Sequence, residues 1–340
     1  MNEEVQTQTS SGSRRWSAEE ANDWQSKQPW VVGCNFLPST AINQLEMWQQ
    51  DSFDAETIDR ELGWAAGIGM NSVRVYLHDL LYEADAKGFL GTMDKFLTIA
   101  SKHGIRPLFV FFDDCWQAES ALGKQPEPKD GVHNSGWVQS PSKAKRNWLD
   151  DFARLESYVT GVLTHFKEDP RIYAWDLYNE PSGSGYAETS MTLLSRVFEW
   201  GWAVRPSQPL TVGVWADLPA YNELQIASSD VISFHNYEPA EKLSAQIAKL
   251  KEHGRPVICT EWMARTNGSR VETNLSVFKD EGVACFNWGL VTGKSNTKYP
   301  WSPTPTPGEP ELWFHDLFQP DGQPYRAEET EIFKTLTGRP

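Results

Sequence analysis

Two glutamates stand where apolar runs stop. The first run is Ile172-Tyr173-Ala174-Trp175-Asp176-Leu177-Tyr178 and ends on Asn179-Glu180-Pro181; the second is Pro256-Val257-Ile258-Cys259-Thr260 and ends on Glu261-Trp262. A carboxylate held where a buried strand meets the surface is placed to act as acid, base or nucleophile. The ends of the other apolar runs carry polar or aromatic residues where core packing would favour Val or Leu. In chain order they are Asn35, Arg74 with His78, Asp113 with Asp114, Trp215, His235 with Tyr237, and Trp288. Each is weak alone. Arg74 could be a buried ion pair that only holds the fold, His235 a satisfied core histidine, and Trp288 a core ring. Asp113 and Asp114 could be loop caps, ligand contacts or supports for other groups. Their convergence on successive strand ends carries the signal.

The elements that must position them follow a rhythm. Trp30–Phe36, Ser72–Leu77, Pro107–Phe112, 172–178, Leu210–Val214, Val231–Phe234, Pro256–Cys259 and Val283–Trp288 read as eight strands. Their hydrophobicity is continuous rather than alternating, as expected for parallel strands covered on both faces. Helical patterns separate them, beginning with one capped by Asp54 whose apolar stripe is Ile58, Leu62, Ala65 and Ala66. Eight strand–helix units predict a closed α/β barrel, a single (β/α)8 TIM barrel, over a doubly wound sheet. No Gly-x-Gly-x-x-Gly follows the first strand, which argues against a dinucleotide-binding sheet. Residues 29–340 form the barrel in this reading, and residues 1–28 a flexible arm with a short helix near 17–25. Long loops are expected after strand two (78–89), strand three (113 to about Trp148) and strand eight (289 to about 324). All three leave the C-terminal ends of strands, the face on which barrels build their sites.

Composition narrows the function. The 340 residues carry a formal charge of −15, which disfavours nucleic acid as a partner. No transmembrane run is present, and the polar first fifteen residues lack the apolar core of a signal peptide. The four cysteines, Cys34, Cys115, Cys259 and Cys285, form no Cys-x-x-Cys pair and read as reduced thiols, which points to the cytoplasm unless a signal has been removed. The seven histidines show no ligand spacing, so no metal or other cofactor is expected. Of the sixteen tryptophans many could be core, while several could line a cleft, since flat aromatic faces suit sugar rings. Trp137, in the glycine-rich stretch 131–137, and Trp301, in a proline-stiffened segment, are candidate walls of a sugar site, and His78 a further sugar contact.

Taken together, Arg74, Asn179-Glu180-Pro181, His235-Asn236-Tyr237, Glu261 and Trp288 resemble the strand-end set of the clan A retaining glycoside hydrolases, most like family 5, the cellulase and mannanase family. The resemblance spans residues 30–336 and implies a β-linked oligo- or polysaccharide as substrate, cleaved by double displacement. It implies that Glu180 is the general acid and then base, that Glu261 is the nucleophile, and that Arg74 and Tyr237 donate to it. It further implies that Asn179 binds the sugar 2-hydroxyl, that His235 positions Glu180 or substrate, and that Trp288 lies beneath the sugar being cleaved. Retention requires carboxyl groups about 5–5.5 Å apart. The alternatives are a sugar-binding barrel without catalysis, against which the presence of both glutamates counts, and a transglycosylase using the same intermediate. A Schiff-base aldolase would place Lys at a strand end, and none is there. The sugar, the choice between endo and exo action, and the oligomeric state are not readable from the sequence.

Overall fold

The computed structural model describes residues 14–146 and 151–339. Eight parallel strands form the barrel: β1 (Val32–Asn35), β2 (Ser72–Tyr76), β3 (Leu108–Asp113), β4 (Ala174–Asn179), β5 (Leu210–Thr211), β6 (Ile232–His235), β7 (Val257–Trp262) and β8 (Ala284–Trp288). Their order is β5-β4-β3-β2-β1-β8-β7-β6, and an isolated bridge between Val214 and Phe234 closes the ring between β5 and β6. The fifth strand is thus shorter than its apolar run, because pairing lapses after Thr211 and resumes at Val214. Every residue of every strand is buried, which accounts for the continuous hydrophobicity.

The helices are α1 (Ala18–Ser26), α2 (Gln44–Trp48), α3 (Ala55–Gly67), α4 (Asp79–Lys102), α5 (Asp151–Phe166), α6 (Ala187–Val204), α7 (Pro219–Ser228), α8 (Ala240–Lys251), α9 (Val271–Asp280) and α10 (Ala327–Thr337). Asp54 caps α3 by accepting from the Thr57 amide. The larger apolar cluster lies between sheet and helices; a smaller one, including Val110, Ile258 and Phe286, fills the barrel interior.

Two expectations change. The short helix expected near 17–25 is present as α1, but from Arg14 onward the segment is bound to the barrel, while residues 1–13 lie outside the described residues. Ser17 and Glu20 close a capping box on α1, Trp16 and Trp24 pack against the interior cluster, and Trp24 lies 5.2 Å from Tyr173. Arg15 donates to the carbonyls of Ser229 and Ile226 at the end of α7. This segment therefore plugs the N-terminal end of the barrel. The loop expected after β2 is instead the start of α4. His78 caps it by accepting from the Leu80 amide, and a non-helical Asp85 restarts it by accepting from the Gly88 amide. The loops after β3 and β8 are long, as expected; the expected end of the former, Trp148, lies outside the described residues.

Candidate active site

At the C-terminal mouth of the barrel is a cleft of about 1030 Å³. Its lining includes Asp113, Trp137, Asn179, Glu180, Trp215, His235, Tyr237, Glu261, Trp288 and Trp301, ten of the residues singled out from strand ends and loops.

Glu261 is the penultimate residue of β7, where the pairing register slips against both neighbours, between Phe234 and His235 on one side and between Cys259 and Trp262 on the other. Such irregularities re-aim side chains. Its Oε1 accepts from Arg74 Nη1 at 2.7 Å and Tyr76 Oη at 2.9 Å, and its Oε2 from Tyr237 Oη at 2.7 Å. Burial alone would raise this carboxyl. The nearby His235 and Arg74, with the hydrogen bonds from Tyr237 and Arg74, outweigh it and hold Glu261 below the usual glutamate range. Burial pushes both phenols well above the usual tyrosine range, so Tyr76 and Tyr237 remain protonated donors.

Arg74 is fully buried and fully engaged. Besides Glu261 it donates to Asp176 at 2.8 Å and 3.1 Å, Asn35 at 2.8 Å, Asn179 at 2.7 Å and the Tyr76 oxygen at 2.6 Å. A buried guanidinium is tolerated only with such a set of acceptors. Asn35, itself donating to the Thr260 carbonyl at 2.9 Å, braces Arg74 and does not line the cleft.

Glu180 follows β4 with a positive φ of 43°, a conformation sparsely used by residues with a Cβ and one that argues for a constrained position. Its side chain is 19 % exposed against 5 % for Glu261. Its Oε1 meets His235 Nδ1 at 2.7 Å, and its Oε2 accepts from the Cys115 thiol at 3.1 Å. A carboxylate oxygen from each glutamate and a ring nitrogen of His235 all lie within 4.8 Å of one another. Three such donors can hold a cation elsewhere in proteins. Here a guanidinium and two phenols already cover the oxygens of Glu261, and a positive charge 2.7 Å away opposes a metal ion.

Asp113 accepts from Asn179 Nδ2 at 3.0 Å, the Cys115 amide at 3.0 Å and Trp137 Nε1 at 2.7 Å. Burial pushes its carboxyl up to about 7 despite those bonds, with the charge of Glu180 adding to the rise. Asp114 faces away and fixes the turn after β4, accepting from the Ser182 amide at 2.7 Å and Tyr178 Oη at 2.8 Å. Tyr76 meets Trp137 and Trp288 edge to face with centroids 4.9 and 6.0 Å apart, and the two tryptophans lie tilted to each other at 5.8 Å. Trp215 donates to the Pro181 carbonyl at 3.3 Å. Trp301 stands 43 % exposed, its ring edge-on to Tyr237 at 4.7 Å.

His78 does not join the site. It is fully buried outside the cleft lining, with Nε2 3.0 Å from the Gln139 carbonyl and Nδ1 spent on the α4 cap, so no ring nitrogen is left for a sugar. Sequence reasoning missed Tyr76, Asp176, Cys115 and Trp116. Tyr76 lies two residues beyond Arg74 and so shares its face of the strand, and Asp176 is a lone charge in an apolar run; both signals were present. Cys115 and Trp116 sit in an irregular segment that no periodicity places.

The sequence profile of the cellulase family (glycosyl hydrolase family 5) matches residues 66–293. A probable mannan endo-1,4-beta-mannosidase A-1 of Aspergillus terreus (strain NIH 2624 / FGSC A1156) is 29 % identical over 98 residues, a match covering 29 % of this chain and only 23 % of that protein. Among solved structures, the exo-beta-1,4-mannosidase Op5Man5 from Opitutaceae bacterium strain TAV5 superposes with a TM-score of 0.63 at 18 % identity, covering 98 % of this chain and 63 % of that one. GH5_18-E153A from Streptomyces cattleya, solved with Manb1-4GlcNAc, gives 0.60 at 12 % identity, over 91 % and 80 %. The endo-1,4-beta-D-mannanase from Thermotoga petrophila RKU-1 gives 0.57 at 14 % identity, over 91 % and 99 %. At these identities the superpositions establish the shared barrel. The profile match, spanning well over half of a chain whose strand ends already carry the paired glutamates, establishes that this protein belongs to glycosyl hydrolase family 5.

Proposed function

We propose that Glu180 and Glu261 perform a retaining double displacement on a β-mannoside. The observation that carries this reading is the contrast between two carboxylates whose oxygens approach within 4.8 Å. That spacing suits direct attack and leaves no room for the water an inverting pair must admit. Glu261, held ionised by Arg74, Tyr76 and Tyr237, attacks the anomeric carbon as Glu180 gives its proton to the departing glycosidic oxygen. A covalent glycosyl ester forms on Glu261. Glu180, now a carboxylate, takes a proton from water, whose oxygen displaces Glu261 and restores both groups. His235 orients Glu180, Asn179 offers its amide to the 2-hydroxyl, and Trp288 supplies the floor of the subsite. Mannoside is favoured because a mannosidase, a mannanase and a protein solved with Manb1-4GlcNAc share the barrel, and a probable mannan endo-1,4-beta-mannosidase shares local sequence.

The test is hydrolysis of 4-nitrophenyl β-mannoside alongside the β-glucoside and β-xyloside, with the first-formed anomer read by proton NMR. Turnover with β-mannose appearing first is expected. An α-product overturns the double displacement, and exclusive turnover of another glycoside overturns the mannoside assignment.

A further inference from the structure

The loops after β3 and β8 do not stand apart as the two banks of a groove. They are joined. The Asn134 amide donates to the Ser295 carbonyl at 2.9 Å, and the Thr306 amide to the Gly131 carbonyl at 2.8 Å. His133 Nδ1 lies 2.8 Å from the Tyr299 carbonyl, and Asn296 donates to the Lys129 carbonyl at 2.9 Å. At Gly131, with φ of 70°, a Cβ would collide with the Thr306 carbonyl, so the contact depends on glycine. The segment after β1 buttresses the seam. Asn43 donates to the Gly136 carbonyl at 2.8 Å, and Lys294 pairs with Glu46 at 2.7 Å.

On the cleft side the seam carries an aromatic arc. Trp116 lies 5.3 Å from the His133 ring, His133 6.3 Å from Trp301, and Trp301 4.7 Å from Tyr237. The arc runs from the end of β3 to the end of β6 by way of the β8 loop. The remaining flank, after β4 and β5, is where Glu180 is partly exposed and where Trp215, Asp217 and Asn222 line the cleft. An acid must face the bond to the leaving group, so the leaving group occupies this flank. The sugar transferred to Glu261 lies on the other side, against the joined loops. There Asn134 is fully buried and lines the cleft with a φ of 47°, and neither its side-chain oxygen nor its side-chain nitrogen has a protein partner among the described residues. A buried amide left unpaired is costly unless a ligand satisfies it. One acceptor beside one donor matches a pair of neighbouring sugar hydroxyls.

We propose that the joined β3 and β8 loops dam the non-reducing end of the cleft, so that the enzyme removes one or two sugars from chain ends, with Asn134 binding hydroxyls of the terminal sugar. This rests on the retaining-hydrolase reading, and the experiment separates the two. β-1,4-Mannohexaose labelled at its reducing end is digested by the full chain beside a copy whose non-reducing end is blocked by a 4,6-benzylidene group, with aryl β-glycosides in parallel. The labelled pentamer or tetramer is expected as the first product, with the blocked hexamer left intact. Early labelled dimer or trimer, or cleavage of the blocked hexamer at the same rate, overturns the dam while leaving hydrolysis standing. Absence of turnover on every substrate, aryl glycosides included, overturns the hydrolase reading and the dam with it. Asn134→Ala is expected to raise KM about tenfold or more with kcat little changed; a fall in kcat with KM unmoved overturns its assignment. Gly131→Val, if it melts as the parent does, is expected to admit the blocked hexamer, and continued refusal overturns the seam as the barrier.

Discussion

Glu261 and Glu180 are the same residue type at the ends of strands on opposite sides of one barrel, and their surroundings differ in kind. Glu261 is wrapped: a guanidinium and two phenols donate to its two oxygens, and almost no solvent reaches it. Glu180 is lightly held by one imidazole and one thiol, on a strained turn open to the cleft. The first environment stabilises a standing negative charge; the second leaves a carboxyl group facing the cleft with few donors on it. The two roles proposed for this one side-chain type thus rest on the number and charge of the donors around it.

Substitutions at and around the two carboxylates probe that contrast. The largest effect belongs to Glu261→Ala, expected to lower kcat on aryl β-glycosides by about 10⁴-fold or more, with azide restoring turnover as an α-glycosyl azide; unaided activity near the parent's would remove Glu261 from the mechanism. Glu180→Ala should depend on the leaving group. Loss is expected to be severe for a sugar leaving group and at least about tenfold milder for 2,4-dinitrophenolate, which departs without a proton. Equal losses on the two would contradict an acid. Tyr237→Phe removes one donor from the wrapped carboxylate and should lower kcat/KM by about 10²-fold, and Cys115→Ala, on the lightly held one, by only a few fold. A larger loss for Cys115→Ala than for Tyr237→Phe would reverse the comparison.

The smallest effect is on stability. Asp113, beside Glu180, has its folded-state pKa raised to about 7, above the ordinary aspartate value. It therefore contributes stability that is full below about pH 4 and lost as pH rises toward 7. Replacing it with Asn should flatten that part of the profile, a change on the order of a few kcal/mol at most, read by comparing melting temperature against pH for both proteins. Parallel curves across this range would remove Asp113 as the cause.

The barrel was legible because burial on both faces of each strand leaves an uninterrupted apolar run, and a polar residue ending such a run is conspicuous. Glu180, Glu261, Arg74 and His235 were found in that way. What was not legible depends on contacts between distant segments. His78 looked like a strand-end ligand but caps α4, since nothing in its neighbours says that a helix begins at once. The first 28 residues read as an arm with a short helix, and the helix is there, yet from Arg14 onward the segment plugs the barrel through Trp16 and Trp24, rings whose partners lie far along the chain. The joining of the β3 and β8 loops rests on backbone hydrogen bonds between segments more than 150 residues apart, for which no local pattern exists.

In the proposed mechanism Glu261 carries the glycosyl group and Glu180 does not. Incubation with 2-deoxy-2-fluoro-β-mannosyl fluoride, followed by intact-mass measurement and peptide mapping, tests it most directly. One fluoroglycosyl group per chain on the peptide containing Glu261 is the predicted result; a group on Glu180, or turnover of the reagent to an inverted product with no adduct at any time, would contradict the account.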